Sequence, residues 1–271
     1  MGSLYICGTP IGNLEDSTYR LKKVLSTVDL ILCEDTRRAK TLLQYLEVKT
    51  PYESFFVGNE HKKNNQVISK IKDGMNIALI SDAGMPTVSD PGSSLIQTAA
   101  NEGIDVIVIP GPSSVVASFS LSGFLHKGFT FIGFLEKRGT ERVKQIREIV
   151  RSERPSIFFT SIQRLKKDLK EIINNGGIQE IVICRELTKM HETVYRGTAS
   201  DLLKDIDSRE LKGEVTVVVD SSQQEIIEEE KILEASSTLL KEGNSKKSIA
   251  KALSKVSQYS VNEIYTMIQH Y

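Results

Sequence analysis

The chain is expected to fold as an α/β protein, with two α/β units at 1–123 and 124–222 and a helical element at 223–271. Three observations carry this. A short apolar run, a Gly/Pro/Asp turn and a helical pattern recur in order at Leu4–Leu21 (LYICGTPIGNLEDSTYRL), Cys33–Arg38 (CEDTRR), Leu79–Gly92 (LISDAGMPTVSDPG) and Val108–Ala117 (VIPGPSSVVA). After Gly133 the pattern restarts with strands spaced closely enough to suggest a mixed sheet. Beyond Asp220 strand signals stop and only helical periodicity continues.

In the first unit, strands are expected at Leu4–Gly8, Leu30–Cys33, Asn76–Ile80 and Asp105–Ile109, with a further run at Phe129–Ile132 closing it at a hinge near Phe124–Gly133. Helical patterns such as Ser17–Ser26 and Gly92–Asn101 separate them. Strand and helix in alternation imply a parallel sheet whose turns gather at the carboxyl ends of the strands, where open α/β folds bind ligands. In the second unit a charged helix at Thr140–Arg151 precedes strands at Ser156–Thr160, Glu180–Cys184, Thr193–Arg196 and Val215–Asp220. The last region reads as helices at Ile226–Lys241, Lys246–Leu253 and Val261–Ile268, the third opened by Ser260 as N-cap with Glu263 completing a capping box. Three short helices suit either a helix-turn-helix module or a packing element. Five Lys against two Glu from Lys241 onward favour nucleic acid.

A chain of 271 residues that is 39% hydrophobic, with 35 basic and 35 acidic side chains, can bury a sizeable core and has no global charge bias. No apolar stretch approaches the roughly 18 residues of a membrane span, and the amino terminus lacks a basic region followed by an apolar core, so a cytoplasmic location is expected and no membrane partner. Cys7, Cys33 and Cys184 lie in apolar runs without ligand spacing, which makes them buried thiols, and the four His are scattered. No metal site is expected.

The first turn, GTPIGN, lacks the Lys-Ser/Thr pair of a P-loop and the third glycine of a dinucleotide fingerprint. Pro10 removes a donor and fixes φ, which suits a stiff wall against a ligand. SDAGMPTVSDPG is more specific. Asp82 ends a buried strand, Gly84 permits close backbone approach, Pro86 stiffens the turn, and Asp90-Pro91-Gly92 opens the next helix. Exposed amides there suit a carboxylate while Asp82 suits an ammonium or hydroxyls, the chemistry that the methionine half of S-adenosylmethionine requires.

These motifs, with GFL at Gly133–Leu135, RELTKMHETVYRGT at Arg185–Thr198 and KGE at Lys212–Glu214, occur in the order found in the 16S rRNA (cytidine-2'-O)-methyltransferases, and over about residues 4–220 the chain resembles that family. The resemblance implies a tetrapyrrole-methylase-like fold, two α/β domains holding S-adenosylmethionine between them, and a C-terminal helix-turn-helix-like module. It implies a homodimer and, as substrate, 16S rRNA in the small ribosomal subunit, methylated at cytidine 1402 by analogy. Carried over residue by residue, Pro10 lines the cofactor cleft, Ile80, Ser81 and Asp82 form the cofactor loop with Gly84 and Met85 beyond, and Ser113 and Ser114 make the next contact. Thr160 and Leu187 fall where the second domain meets the adenosine. Two segments depart from the family: its YESPHR is Phe159–Arg164 here, losing the Glu, Pro and His while keeping the Arg, and its YHEHN is Val57–His61, with one histidine absent.

The implied reaction is attack of a ribose 2'-hydroxyl on a sulfonium methyl, which needs in-line placement and removal of a proton. His61, Glu34, Glu60 and Asp35 are the candidate bases, with Asp35 also placed to cap the helix from Thr36. Arg37, or its neighbour Arg38, is a candidate phosphate clamp, Lys189 and Arg185 being weaker ones. Between Lys137 and Lys170 eleven Lys or Arg face four acids, an RNA-backbone surface or a solvated helix face. Competing readings are a tetrapyrrole methyltransferase using the same cleft and a non-enzymatic nucleic-acid-binding protein.

Overall fold

The computed structural model describes residues 1–207, 212–221, 229–254, 256–257 and 259–269. Its first sheet contains β1 (Leu4–Cys7), β2 (Leu30–Cys33), β3 (Tyr52–Ser54), β4 (Ile77–Ile80) and β5 (Val106–Ile109) in the order β3-β2-β4-β1-β5, all parallel. Strands β2 and β4 are buried at every position, as continuous apolar runs in a parallel sheet with both faces covered must be. Helices α1 (Tyr19–Thr27) and α2 (Thr36–Tyr45) cover one face through Leu21, Leu25, Leu42 and Leu43. Helices α3 (Glu60–Lys72) and α4 (Ser93–Asn101) cover the other through Ile68, Ile71, Leu95 and Ala99. The helix starts follow from their caps: Thr18 Oγ1 accepts from Leu21 N at 3.0 Å, and Asp35 Oδ1 from Arg37 N at 2.8 Å.

Helix α5 (Ser114–Ser122, SVVASFSLS) is apolar around much of its circumference, and a helix of that composition needs cover on more than one side. It finds it on the second sheet. Val115, Ala117 and Phe119 pack with Ile157, Val182, Cys184 and Val218, together with Ile11 and Leu187. The last helix of the first unit thereby fastens the two sheets together.

The second sheet contains β6 (Thr130–Phe134), β7 (Ser156–Ser161), β8 (Glu180–Arg185), β9 (Thr193–Thr198) and β10 (Glu214–Val219) in the order β6-β7-β10-β8-β9. Only β6 and β7 are parallel, so the sheet is mixed, as the strand spacing suggested. Helices α6 (Thr140–Arg151), α7 (Ile162–Asn174) and α8 (Ala199–Asp207) cover the face opposite α5, with Ile146, Leu165, Leu169 and Leu202 in the core. One expectation is corrected here. The run at Phe129–Ile132, read in series with the strands of the first unit although it lies past the 123/124 boundary, belongs to the second sheet, where Phe131 pairs with Ile157 and, past an irregularity between Phe131 and Gly133, Phe134 pairs with Phe159. An apolar run announces a strand but not its partner. Strand β3, three residues long, carries too short a pattern to read.

The C-terminal helices are α9 (Glu229–Lys241), α10 (Lys246–Leu253) and α11 (Val261–Gln269), packed around Ile232, Ile249, Ala250, Ile264 and Ile268. The capping box forms as expected, Ser260 N donating to Glu263 Oε2 at 2.6 Å and Glu263 N to Ser260 Oγ at 3.2 Å. The expected start of α9 at Ile226 and the 222/223 boundary lie outside the described residues. Among the described residues no helix is long and apolar enough to cross a membrane.

Candidate active site between the two sheets

The parallel order of the first sheet brings the ends of β1, β2, β4 and β5 to one edge, and their turns are built to touch. Gly8 and Gly111 meet backbone to backbone, where a Cβ on Gly8 would sit 2.7 Å from Gly111 N. Thr9 and Gly84 exchange main-chain hydrogen bonds at 2.8 and 3.1 Å, joining GTPIGN to SDAGMP. From the second sheet, the loop Glu186–Lys189 closes over the same edge. Asn13 N donates to Thr188 Oγ1 at 3.0 Å, and a Cβ on Gly12 would run into Lys189 Cγ at 2.5 Å.

Between these loops lies a cavity of about 380 Å³, within the range of about 300–1,000 Å³ common for small-molecule sites. Ile11, Met85, Val88, Val115, Phe134, Phe159 and Leu187 form its apolar wall; Glu34, Arg38, Asp82, Asp90, Lys189 and Glu214 supply its charges. Five described non-glycine residues have positive φ, and four of them flank this cavity: Thr87 (72°), Ser89 (74°), Glu186 (51°) and Thr188 (64°). Each left-handed backbone costs on the order of 1–3 kcal/mol and persists only where its surroundings impose it. Here they do. Glu186 N donates to Glu214 O at 3.0 Å, Glu186 Oε1 accepts from Glu214 N at 2.8 Å and Lys189 Nζ at 2.9 Å, and Thr188 N donates to Glu192 Oε2 at 2.6 Å. The loop is preorganised to present Leu187, which is buried, to the cavity.

The three carboxylates on the first-sheet side differ in their partners. Asp82 accepts from Asp35 N at 3.0 Å and faces Arg38 Nε at 3.5 Å. Glu34 lies near the same guanidinium; burial and the Asp82 charge push its carboxyl up, opposed by Arg38. Burial pushes Asp90 up to about 6, together with the negative charges of Glu34 and Asp82, while the nearby Ser81 hydroxyl opposes the shift. The thiols are buried as expected. Desolvation raises Cys7 to about 12 and Cys33 and Cys184 to about 11, which makes them unreactive near neutrality.

Of the residues selected from sequence, Glu34, Asp82, Gly84, Met85, Ser113, Ser114, Thr160 and Leu187 line this cavity. Pro10, Ile80 and Ser81 do not: all three are buried behind its wall, and Ser81 Oγ donates to Gly84 O at 3.2 Å, bracing the turn. Thr160 stands at the end of β7, where its hydroxyl donates to the buried Asp168 at 2.5 Å. Arg37 is outside the cavity because Asp35 captures it, with Arg37 Nη2 2.6 Å from Asp35 Oδ2. Its neighbour Arg38 takes the place facing the cleft. Asp35 caps α2, and the hydrogen bonds from Arg37 hold it down at about 2. Glu60 is likewise engaged, accepting from Gly92 N at 3.2 Å and Ser94 Oγ at 2.5 Å at the start of α4. His61 is the second residue of α3, and its side chain lies outside what the structure describes.

The basic run at 137–170 is thinner in space than in sequence. Arg142 is buried against Asp168 and Glu171, Arg164 Nη2 donates to Leu135 O at 2.6 Å, and Lys167 Nζ to Lys137 O at 3.2 Å. Arg185 donates to Lys212 O and His191 O, so it is a brace of the loop. Asp90 and Arg38 are what the sequence reading undervalued; both sat in the selected motifs, Asp90 read as a helix opener and Arg38 as the twin of Arg37.

Residues 3–203 match the model of the Tetrapyrrole (Corrin/Porphyrin) Methylases. The chain belongs to this family. Within it, the chain is 41% identical over 223 residues to a protein of Thermotoga maritima named Ribosomal RNA small subunit methyltransferase I, covering 82% of this chain and 100% of that relative. A Synechocystis protein of the same name is 33% identical over 98% of this chain and 97% of its own length, a span that takes in the C-terminal helices. Among solved structures, uroporphyrin-III C-methyl transferase from Thermus thermophilus, complexed with S-adenyl homocysteine, superposes with a TM-score of 0.59 at 15% identity, over 81% of this chain and 97% of that one. At that identity the likeness shows the tetrapyrrole methylase fold.

Proposed function

We propose that this methyltransferase binds S-adenosylmethionine in the cavity between its sheets and transfers the methyl group to the 2'-oxygen of one cytidine in the 16S rRNA of the small ribosomal subunit, cytidine 1402 by analogy. The carrying observation is that SDAGMP and PGPSS of the first sheet and RELTK of the second close on one cavity, with apolar walls and carboxylates on its first-sheet side. The residues fit the cofactor. Gly84 has a positive φ of 77° at the wall and leaves backbone within reach of a carboxylate; Asp82 suits an ammonium or ribose hydroxyls; Leu187, Phe159 and Val115 suit a purine face. When bound, S-adenosylmethionine supplies an electrophilic methyl on a sulfonium cation, and the negative balance of Glu34, Asp82 and Asp90 over Arg38 favours that cation.

Arg38, with its side chain 58% exposed at the cleft and held by Asp82, is the cation placed to fix an RNA phosphate beside the methyl donor. A tetrapyrrole substrate has no use for that clamp, and the relatives named for ribosomal RNA favour RNA over a porphyrinoid. The reading extends to a division of the chain at 123/124 and 222/223, to a cytoplasmic location with the ribosome, and to a homodimer, for which the exposed Val106 and Val108 on the edge strand β5 and Val116 and Leu121 on α5 offer an apolar surface. Light scattering of the purified protein tests the dimer. The function is tested by incubating small subunits from cells lacking this protein with enzyme and S-adenosylmethionine, followed by mass spectrometry of the rRNA. A 2'-O-methylcytidine is expected; methylation of a base, or transfer only to a tetrapyrrole, would sink the assignment.

A further inference from the structure

We propose that Asp90 is the catalytic base that removes the proton from the attacking 2'-hydroxyl, an inference that rests on the methyltransferase reading above. Three carboxylates face the cleft from the first sheet, and their partners separate their roles. Asp82 is occupied by the Asp35 amide and by Arg38, whose charge also opposes the upward push that burial gives the Glu34 carboxyl. A carboxylate tied to a cation is a weak proton acceptor. Asp90 has instead two carboxylates, Glu34 and Asp82, as its charged neighbours. Its position is fixed by the backbone: Ser89 before it is left-handed, Pro91 after it fixes φ, and Gly92 turns at a φ of 124° into α4. That sequence of constraints spends strain to hold one carboxylate in the cavity wall.

The step balances without a further reactant. A lone pair of the 2'-oxygen forms the new O–C bond to the methyl as the S–C bond breaks, the S–C electron pair neutralises the sulfonium, and the hydroxyl proton passes to Asp90, which returns it to water. A carboxyl held near 6 is ionised at neutral pH and is more basic than a solvated aspartate, the compromise general base catalysis requires. Lys189 and Glu214, the other charged groups lining the cavity, are paired at 3.0 Å.

The test uses the full chain, small subunits lacking the modification, and S-adenosylmethionine. Wild-type turnover giving 2'-O-methylcytidine establishes the reading on which the inference rests, independently of Asp90. Asp90→Asn should then lower kcat by about 100-fold or more while leaving the affinity for S-adenosylmethionine, measured by calorimetry, within about threefold. Asp90→Glu should recover part of the rate. The wild-type rate should fall on the acid side with a midpoint near 6, and Glu34→Gln should move that midpoint to lower pH by removing a neighbouring negative charge. An Asp90→Asn enzyme with kcat within about threefold of wild type would overturn the proposal. So would loss of cofactor affinity with kcat retained, which would make Asp90 a cofactor grip. The wild-type pH profile decides the matter without any variant should the substitution prevent folding: no acid limb, no such base.

Discussion

Replacing Asp168 with Ala should be among the most destabilising single changes in the second sheet unit, because of what it strands. Arg142 has a side chain only 3% exposed; its Nη2 is 2.6 Å from Asp168 Oδ1 and 2.6 Å from Glu171 Oε2, and its Nη1 donates to Glu136 O at 2.9 Å. Its Nε already lacks a protein partner. With Asp168 gone, the guanidinium keeps one carboxylate, Glu171, which is 30% exposed, and the Thr160 hydroxyl loses its 2.5 Å acceptor at the cavity edge. Removing one partner of a buried ion pair costs about 3–5 kcal/mol, which for a protein of this size lowers Tm by roughly 6–20 °C. Scanning calorimetry measures it, with Arg142→Met/Asp168→Leu as the control: removing both charges together should cost less than Asp168→Ala alone, since desolvation of the pair offsets much of its attraction. A shift below about 2 °C for Asp168→Ala, or a double variant no milder than the single one, would refute the claim that a stranded charge sets the cost.

Asp82→Ala should weaken S-adenosylmethionine binding by about 1–3 kcal/mol in calorimetry, and unchanged affinity in a folded variant would remove Asp82 from the site. Arg38→Ala should reduce turnover on small subunits by up to about a hundredfold with little change in cofactor affinity, while Arg37→Ala, whose guanidinium is held outside the cavity by Asp35, should leave turnover within about threefold of wild type; the reverse ranking would restore Arg37 as the clamp. Asp90→Asn should raise stability relative to wild type above pH 6. The carboxyl is raised from 3.8 to about 6 in the folded chain, so the native state holds its proton more tightly than the unfolded state does, and ionisation between about pH 4 and 6 removes stability that the Asn variant keeps. Denaturant unfolding at pH 5 and pH 7.5 reads this as a gap between the two proteins that is wider at the higher pH.

The order of elements was legible because the central strands of the first sheet are unbroken apolar runs with turn residues close behind them. Leu30–Cys33 and Ile77–Ile80 have no polar residue to blur their limits, and Thr18, Asp35 and Ser260 mark the helix starts with side chains that do cap them. Pairing was less legible than existence. Thr130–Phe134 has a strand's composition whichever sheet it joins, and what decides is a partner, Ser156–Ser161, more than twenty residues away. Charge density misled for a related reason. Arg142 counts as one more cation in a basic run, yet its helix turns it inward to a carboxylate on α7 that the same count treats as mere dilution of the charge.

At the site the sequence carried the loops but not the division of labour inside them. Arg37 and Arg38 are adjacent and chemically identical, and only the helix geometry separates them: Asp35, as N-cap, sits within reach of the Arg37 guanidinium and holds it, leaving Arg38 one step round the helix to meet Asp82. The same cap explains why Asp35 is a poor base, since its charge is already used twice. Asp90 is the converse case. Asp-Pro-Gly reads as a helix opener, yet α4 begins with Gly92 as its N-cap and no side-chain cap, while Glu60 accepts from Gly92 N and the Ser94 hydroxyl. Asp90 gives α4 no side-chain cap, and the left-handed Ser89 before it and Pro91 after it hold its carboxyl in the cavity wall, a placement that a helix opener alone does not call for.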